Sequence, residues 1–145
     1  MTLQEIVHLY NRVGFGISAS EASSLQGKSR AQMISQLFDA SRNPKPLSID
    51  LEELTTTLKG IKKKDRKKIR ALFKESAKKI HELNIAWLYK LGNTEQLLVE
   101  KMTLFWANHF VCRDENVVHF QQYQNILRKH ARSEERRVGK EGRSR

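Results

Sequence analysis

Apolar residues recur every three or four positions through most of this chain, a spacing that predicts helices rather than strands. The first such run, residues 3–10, is followed by Gly14-Phe15-Gly16, where two glycines indicate a turn. Ser18 then stands three positions before Glu21, which is the spacing of a capping box and predicts the start of a short second helix. The pattern therefore opens with two helices joined by a glycine-containing turn.

The next segments continue the helical pattern. Residues 30–40 place apolar side chains on one helix face. Two prolines after Asn43 then break the chain, because proline lacks an amide proton and restricts the residue before it. From residue 51 to residue 91 the apolar spacing predicts one long amphipathic helix or two, with Gly60 as the interruption. Gly92 is expected to end this stretch.

Residues 95–111 are predicted to form the most apolar helix of the chain. Its centre, EKMTLFWANHF from Glu100 to Phe110, carries apolar side chains around most of the helix circumference, which predicts burial on most sides. Asn108 and His109 interrupt this apolar surface. Because a buried polar side chain without a hydrogen bond costs about 1 to 3 kcal/mol, we expect a partner for this pair elsewhere in the fold.

A last helix is expected over residues 117–130. Its inward face is predicted to carry Phe120, Tyr123, Ile126 and Leu127. Together the segments predict an all-α fold, an irregular bundle of about five to six helices. At 145 residues the chain has the length of one ordinary domain.

The net charge of +11 is concentrated in one segment and one tail. Residues 59–79 hold eleven Lys or Arg against Asp65 and Glu75, a net charge of +9, and residues 132–145 hold six Lys or Arg against three Glu, a net charge of +3. Because the rest is nearly neutral, the chain is not globally basic. The Lys/Arg-rich segment is interpreted as an amphipathic helix with a solvated cationic face. Nucleic-acid binding is the disfavoured alternative, since Phe73, the first aromatic residue among the cations, is assigned to the apolar stripe.

The tail, RSEERRVGKEGRSR, resembles the translation of a sequencing-library adapter. On this interpretation residues 132–145 are a non-native disordered tail, and Ala131 is the last residue of biological origin. A genuine basic disordered tail is the alternative. The adapter interpretation predicts that the natural protein continues, which makes residues 1–131 an incomplete N-terminal fragment of one larger helical domain.

Cys112 is the single cysteine, which excludes an intrachain disulfide and a zinc site built from thiolates alone. It follows an aromatic helix and has no local base, so we interpret it as a small buried hydrophobe rather than a nucleophile. No apolar run approaches the roughly 18 residues of a membrane span, and the N-terminus lacks the features of a signal peptide. As written, the chain is expected to be cytoplasmic.

Three further residues are candidates for binding. Glu115 and His119 are four positions apart, so they can hold a metal ion together or pair on a helix surface, and pairing is the favoured interpretation. Arg12 precedes the glycine-containing turn, where it can bind an anion or pair with a carboxylate such as Glu21, which is again favoured. The sequence contains no G-x-S-x-G, P-loop or H-E-x-x-H motif, and it leaves the cofactor unknown.

Two blocks of the sequence resemble a large bacterial family. HLYNRVGFGISASE, from His8 to Glu21, resembles the H-L-x-x-R-x-G-F-G signature of the family called domain of unknown function 1800. The block from Glu82 to Ala131 resembles the family's next signature, in which an L-x-E-K-M helix runs into F-W-H-x-H-F. The motifs stand in the family's order and leave the Lys-rich middle unmatched. The resemblance implies that members are much longer than this chain.

One position departs from the family's second signature. Where the family usually has histidine before the x-His-Phe, this chain has Ala107, which leaves only His109. Two histidines one residue apart would also lie about 200° apart on a helix, so both could not bind one ion without distorting it. We interpret His109 as a core histidine bonded to a backbone carbonyl or to another helix. The alternative is a ligand or general base, with Asn108, in a catalytic site.

The resemblance carries no established reaction. It implies an uncharacterised bacterial protein, and relatives often carry export signals, which implies the cell envelope or secretion if the start at Met1 is misassigned. Two functions stay open: an enzyme whose site includes Asn108 and His109, and a non-catalytic helical binding or scaffold protein. If the chain is a fragment, we also expect its aromatic helix to expose apolar surface.

Overall fold

The computed structural model describes residues 1–60, 65–112 and 114–132, and these residues form seven helices and no strand. In chain order the helices are α1 (Leu3–Val13), α2 (Ala19–Ser24), α3 (Arg30–Ala40), α4 (Glu52–Gly60), α5 (Arg66–Asn93), α6 (Leu97–His109) and α7 (Val117–His130). The all-α prediction is confirmed. The predicted bounds of α3 and α7 agree with the structure. Gly60 is the last described residue of α4, so the predicted interruption after it falls outside the described residues and stays a prediction.

Capping boxes begin the first three helices. Ser18 accepts a hydrogen bond from the backbone of Glu21 while the Glu21 carboxylate accepts one from the backbone of Ser18, as predicted. The same arrangement joins Thr2 to Glu5 and uses Ser29 at the start of α3. These local bonds set where α1, α2 and α3 begin, because they satisfy amide groups that have no partner inside a helix.

Two apolar clusters hold the helices together. The smaller one joins α1, α2 and α3 and contains Ile6, Ala22 and Met33. The larger one joins α5 and α7 to α4 and the segment before it, and contains Leu47, Leu51, Leu54, Leu83 and Val117. Their burial removes apolar surface from water and supplies the main stabilisation of the fold. Among the residues that the structure describes, no helix combines the length and apolarity that a membrane span requires.

An extended segment between α3 and α4 is held by side-chain amides instead of a partner strand. Asn125 accepts from the Leu47 N–H and donates to its carbonyl, both at 2.9 Å. Gln121 accepts from the Ile49 N–H and Gln96 from the Lys45 N–H, each at 2.9 Å. Every second backbone amide along residues 45–49 is thereby satisfied, which allows an extended segment to lie along α7.

The α1–α2 turn packs directly on α6. A Cβ added to Gly14 would meet Leu97 at 3.1 Å, so the absence of a side chain permits this close approach. Lys101 donates to the Gly14 carbonyl at 2.9 Å, and its ammonium lies 4.8 Å from the centre of the Phe15 ring. The two sequence blocks that resemble family signatures therefore contact each other in the fold.

The prediction that α6 is buried on most sides is wrong. Its buried residues are Val99, Glu100 and Thr103. Phe105 and Phe110 are each 54% exposed, so the expectation of exposed apolar surface on this helix is confirmed. The reason is positional: the N-terminal half of α6 contacts the α1–α2 turn, α5 and α7, whereas the described residues leave one side of its C-terminal half open.

The inward face of α7 also differs from the prediction. Ile126 is 57% exposed, whereas Gln124 and Arg128 are each 1% exposed. The prediction from hydrophobicity assigned the wrong residues to the buried face of α7. Arg128 is buried there because its guanidinium donates to the buried carboxylate of Glu100 on α6 at 3.0 Å. A buried charge that is paired and hydrogen-bonded can occupy a position that an apolar residue would otherwise take.

Candidate functional site

Asn108 and His109, the predicted catalytic pair, lie at the exposed end of α6. His109 is surrounded by aromatic rings: its ring centre is 6.2 Å from that of Phe105, 6.0 Å from that of Trp106 and 5.2 Å from that of Phe110. We call these four residues the aromatic cluster. Within the described residues, neither Asn108 nor His109 has a hydrogen bond to another element.

This geometry contradicts the interpretation of His109 as a core histidine. The side chain is exposed, and its contacts are with ring faces and edges rather than with a carbonyl or a carboxylate. The cluster is anchored elsewhere: the Trp106 indole N–H donates to the Ala131 carbonyl at 3.3 Å, and the Tyr123 hydroxyl donates to the Phe110 carbonyl.

The predicted pair of Glu115 and His119 does not form. His119 instead places its Nδ1 3.0 Å from the Asp114 carboxylate, while its Nε2 lies 3.5 Å from the Asn116 amide nitrogen. A carboxylate on one ring nitrogen and a polar group near the other fix the orientation of an imidazole. No group of three metal-ligating side chains occurs in the part of the chain that the structure describes.

The Asp114 carboxylate is stabilised in its charged form, in which it can pair with His119. Its carboxylate accepts a hydrogen bond from the backbone of Asn116 at 2.8 Å, and this bond, followed by the contact with His119, lowers the pKa of Asp114. The position is fixed from α5, where the buried Ser76 hydroxyl donates to the Glu115 carbonyl at 2.6 Å. The Asp114–His119 pair is thus held at the start of α7, even though the sequence predicted a different partner for the histidine.

The candidate residues His109, Cys112 and His119 lie at the same end of the α6–α7 helical hairpin. His109 is the last residue of α6, and His119 lies in the first turn of α7. Cys112, in the connection between them, is exposed, so its interpretation as a buried hydrophobe is wrong. The cause is that α6 stops at His109, which leaves Cys112 beyond the helix.

Arg12 lies apart from these residues, in the last turn of α1. It is exposed, and within the described residues it forms no ion pair. Glu21, its expected partner, is occupied by Ser18, which donates to it from both its hydroxyl and its backbone. The pairing interpretation is therefore wrong, and anion binding by Arg12 stays a prediction.

A basic surface runs along the N-terminal half of α5. Lys67, Arg70 and Lys74 line an open groove of about 780 Å³, together with Ala77 and Ile80. Phe73 lines the same groove and is 49% exposed, so its assignment to the buried apolar stripe is wrong. Asp114 and Glu115, from the connection before α7, also line the groove.

The sequence analysis missed a buried polar network at the centre of the fold. The Glu100 carboxylate accepts from the Trp87 indole at 3.0 Å and from Arg128, and Lys90 lies 3.5 Å from it. Burial lowers the pKa of Lys90, and the attraction of Glu100 opposes that effect. The available signal was Glu100 itself, a charged residue in the most apolar helix. Within the described residues, the buried amide of Gln124 and the Nη2 of Arg128 have no hydrogen bond.

The described residues thus define an all-α protein whose surface carries an aromatic cluster, a carboxylate–histidine pair and a basic groove. The model of a family described as protein of unknown function (DUF1800) matches residues 8–136, which is most of the chain. The chain belongs to this family. The matched range includes the Lys-rich segment that the two sequence motifs leave unmatched. No curated protein and no solved structure matches the chain.

Proposed function

We propose that this chain is a helical binding protein, without a catalytic role, whose contact surface is the aromatic cluster at the end of α6. The observation that carries this proposal is the exposure of Phe105 and Phe110, each 54%, around a histidine whose contacts are aromatic rings. Exposed apolar patches on folded proteins commonly mark interaction sites. Aromatic residues are also enriched among the side chains that dominate binding energy at protein interfaces.

The cluster is built to present its rings rather than to bury them. Trp106 and Tyr123 each bond to a backbone carbonyl near the cluster, so the supporting residues are anchored. Phe105 lies edge-on to Trp106 with ring centres 5.0 Å apart, and Trp106 stacks on Phe110 at 5.4 Å. A preorganised surface of this kind loses little side-chain entropy when an apolar segment of another protein docks on it.

Site-specific photo-crosslinking in cells that produce the chain tests this function. A photoreactive phenylalanine at position 105 or 110 is expected to give a discrete covalent adduct with one protein. The matched controls are Leu88 and Tyr89 on α5, which are 67% and 72% exposed and lie outside the cluster. Adducts of the same kind and yield from the control positions, or none from positions 105 and 110, would refute the proposal.

An enzyme is the second candidate, and the Asp114–His119 pair is the observation that favours it. A histidine oriented through Nδ1 by a carboxylate at 3.0 Å has the arrangement of a general base. Asn108 and His109 end the helix that precedes this pair, so a site at this end of the hairpin can include them. Association with the cell envelope, which the family resemblance implies, is proposed as part of this enzyme candidate.

The enzyme candidate is tested by His119→Gln and His109→Gln in the same chain. A catalytic His119 predicts loss of turnover without loss of thermal stability, because the side chain is exposed and its removal exposes no core. Asp114→Asn should then reduce turnover and shift its pH profile, since it removes the charge that orients the imidazole. Unchanged turnover of candidate substrates in the His119 variant would exclude this role.

A further inference from the structure

Three cationic side chains of α5 share one face of the helix. Lys67, Arg70 and Lys74 are three and four positions apart, which places them on adjacent turns, and all three line the groove. At 100° per residue, they lie about 120° or more around the helix from its buried residues, Ser76 and Leu83. The basic face therefore points away from the side of α5 that packs on the core.

The positive charge on this face is not neutralised by neighbours. The exposed ion pairs of α5 use Lys68, Lys78 and Lys79. No carboxylate among the described residues pairs with Arg66, Lys67, Arg70 or Lys74. Four like charges on adjacent turns repel one another, and this repulsion is relieved when polyanionic phosphates lie along them.

Phe73 adds a second kind of contact to the same surface. Its ring is 49% exposed and lines the groove beside Arg70 and Lys74. An exposed ring beside cations is the combination that binds single-stranded nucleic acid, because the cations contact phosphates while a base stacks on the ring. The bases of a duplex are stacked on each other and cannot use the ring in this way.

Two carboxylates in the groove limit the ligand further. Asp114 and Glu115 line the same groove as the cations but belong to the connection before α7 rather than to α5. The second phosphate backbone of a duplex, or a broad anionic lipid surface, would approach these carboxylates and be repelled. A single strand carries one backbone and can remain on the α5 side.

The geometry points to a binding site for single-stranded nucleic acid on the groove side of α5, with Lys67, Arg70 and Lys74 on the phosphates and Phe73 under a base. This surface includes no residue of the aromatic cluster, so it is a function beyond the protein contact proposed above. The contacts read no base edge, and the site therefore accepts many sequences.

Fluorescence anisotropy with the full chain and labelled homopolymers tests the site. The probes are an oligothymidylate, the matching oligouridylate, the oligothymidylate paired with oligoadenylate, and vesicles that contain phosphatidylserine. We expect both single strands to bind more tightly than the duplex and the vesicles, and the comparison of thymidylate with uridylate shows whether DNA or RNA is preferred. Affinity should fall with salt, with a log–log slope of about −0.7 for each phosphate contacted.

Neutralising the three cations tests their role. The triple variant Lys67→Gln, Arg70→Gln, Lys74→Gln should bind the single strand at least about tenfold more weakly and lower the magnitude of the salt slope by about 2. The matched control removes the same net charge elsewhere on the exposed surface, through Arg30→Gln, Arg42→Gln and Lys129→Gln. Equal losses in the two variants would show that binding follows net charge alone and would overturn the site.

Phe73→Leu tests the stacking contact. Leucine keeps the apolar packing of the half-buried side chain and removes the aromatic face, so single-strand affinity should fall severalfold while duplex affinity stays the same. Tyr89→Leu, which removes an exposed ring farther along α5, is the control and should leave both unchanged. The proposal is wrong if the chain does not bind single strands at low salt, if Phe73→Leu has no selective effect, or if vesicles bind more tightly than the oligonucleotides.

Discussion

Replacing Glu100 by glutamine is expected to be the most destabilising conservative change in the described part of the chain. Glu100 is fully buried and accepts hydrogen bonds from Trp87 and Arg128. Arg128 is itself 1% exposed, and it lies 5.4 Å from the centre of the Trp87 ring. Glutamine has nearly the same shape, so the substitution removes the negative charge and little else.

The expected cost follows from the positive charges that remain. Without Glu100 the buried guanidinium of Arg128 has no carboxylate partner among the described residues. Removing one partner of a buried ion pair costs about 3 to 5 kcal/mol. Lys90, 3.5 Å from the carboxylate and half-buried, loses attraction as well. Since a domain has roughly 5 to 15 kcal/mol of stability in total, the variant should be close to unfolding.

Urea denaturation followed by circular dichroism measures this cost, and a double variant identifies its origin. Glu100→Leu with Arg128→Met removes both charges and leaves mainly the Trp87 N–H without an acceptor, a loss of about 1 to 3 kcal/mol. The double variant should therefore be more stable than Glu100→Gln. Lys78→Gln, in an exposed pair, is the control and should change stability by about 0.5 kcal/mol or less. A double variant that loses the sum of the single losses would refute the reasoning.

Three further predictions concern single side chains and are checked by thermal or urea unfolding. Gln124→Met should raise stability by about 1 kcal/mol, because it replaces a buried amide that has no hydrogen bond within the described residues; a loss of stability would show that the amide has a partner. Ser76→Ala should cost about 1 to 3 kcal/mol, because the Val117 N–H loses its acceptor at 2.9 Å, and the exposed Ser23→Ala should cost less. Hydrogen bonds from Ser18 lower the pKa of Glu21 in the folded state, so the stability that they contribute should be lost as the pH drops below the ordinary Glu pKa of 4.5 and Glu21 is protonated. Glu21→Gln should make stability fall less steeply over this pH range, and an unchanged pH dependence would contradict the prediction.

The contact between the α1–α2 turn and α6 explains why two distant sequence blocks belong together. Gly14 leaves room for Leu97, and Lys101 bonds to the carbonyl of Gly14 while it covers the ring of Phe15. A substitution at this contact in either block is therefore expected to change how the other block packs. This packing accounts for the glycine and the lysine of the two motifs without a catalytic role for either residue.

Local patterns were sufficient for most of the helices. The capping box at Ser18 and the helical spacing of residues 30–40 and 117–130 correspond to features of the structure. Each depends on interactions within a few residues of chain, such as a side chain that caps its own helix. Such interactions are determined by neighbouring residues and are therefore readable from sequence.

The candidate site was less predictable because its geometry depends on distant partners. His119 was assigned to Glu115 by spacing, but its partner is Asp114, a residue in the connection whose position is fixed by Ser76 on α5. His109 was expected to be buried, and it is exposed because the described part of the fold covers only one side of the end of α6. Spacing along a helix shows which residues share a face, but it does not show what lies opposite that face.

By itself the sequence determined the all-α class, the positions of the helices and the concentration of charge before and along α5, because these follow from periodicity and composition. The tertiary structure alone decided which polar residues are buried. Arg128 is in the interior and Ile126 at the surface because Glu100 on another helix requires a counterion, and such a requirement outweighs the hydrophobicity of single residues. The tertiary structure likewise left Phe73, Phe105 and Phe110 about half exposed, which the helical spacing of apolar residues did not indicate.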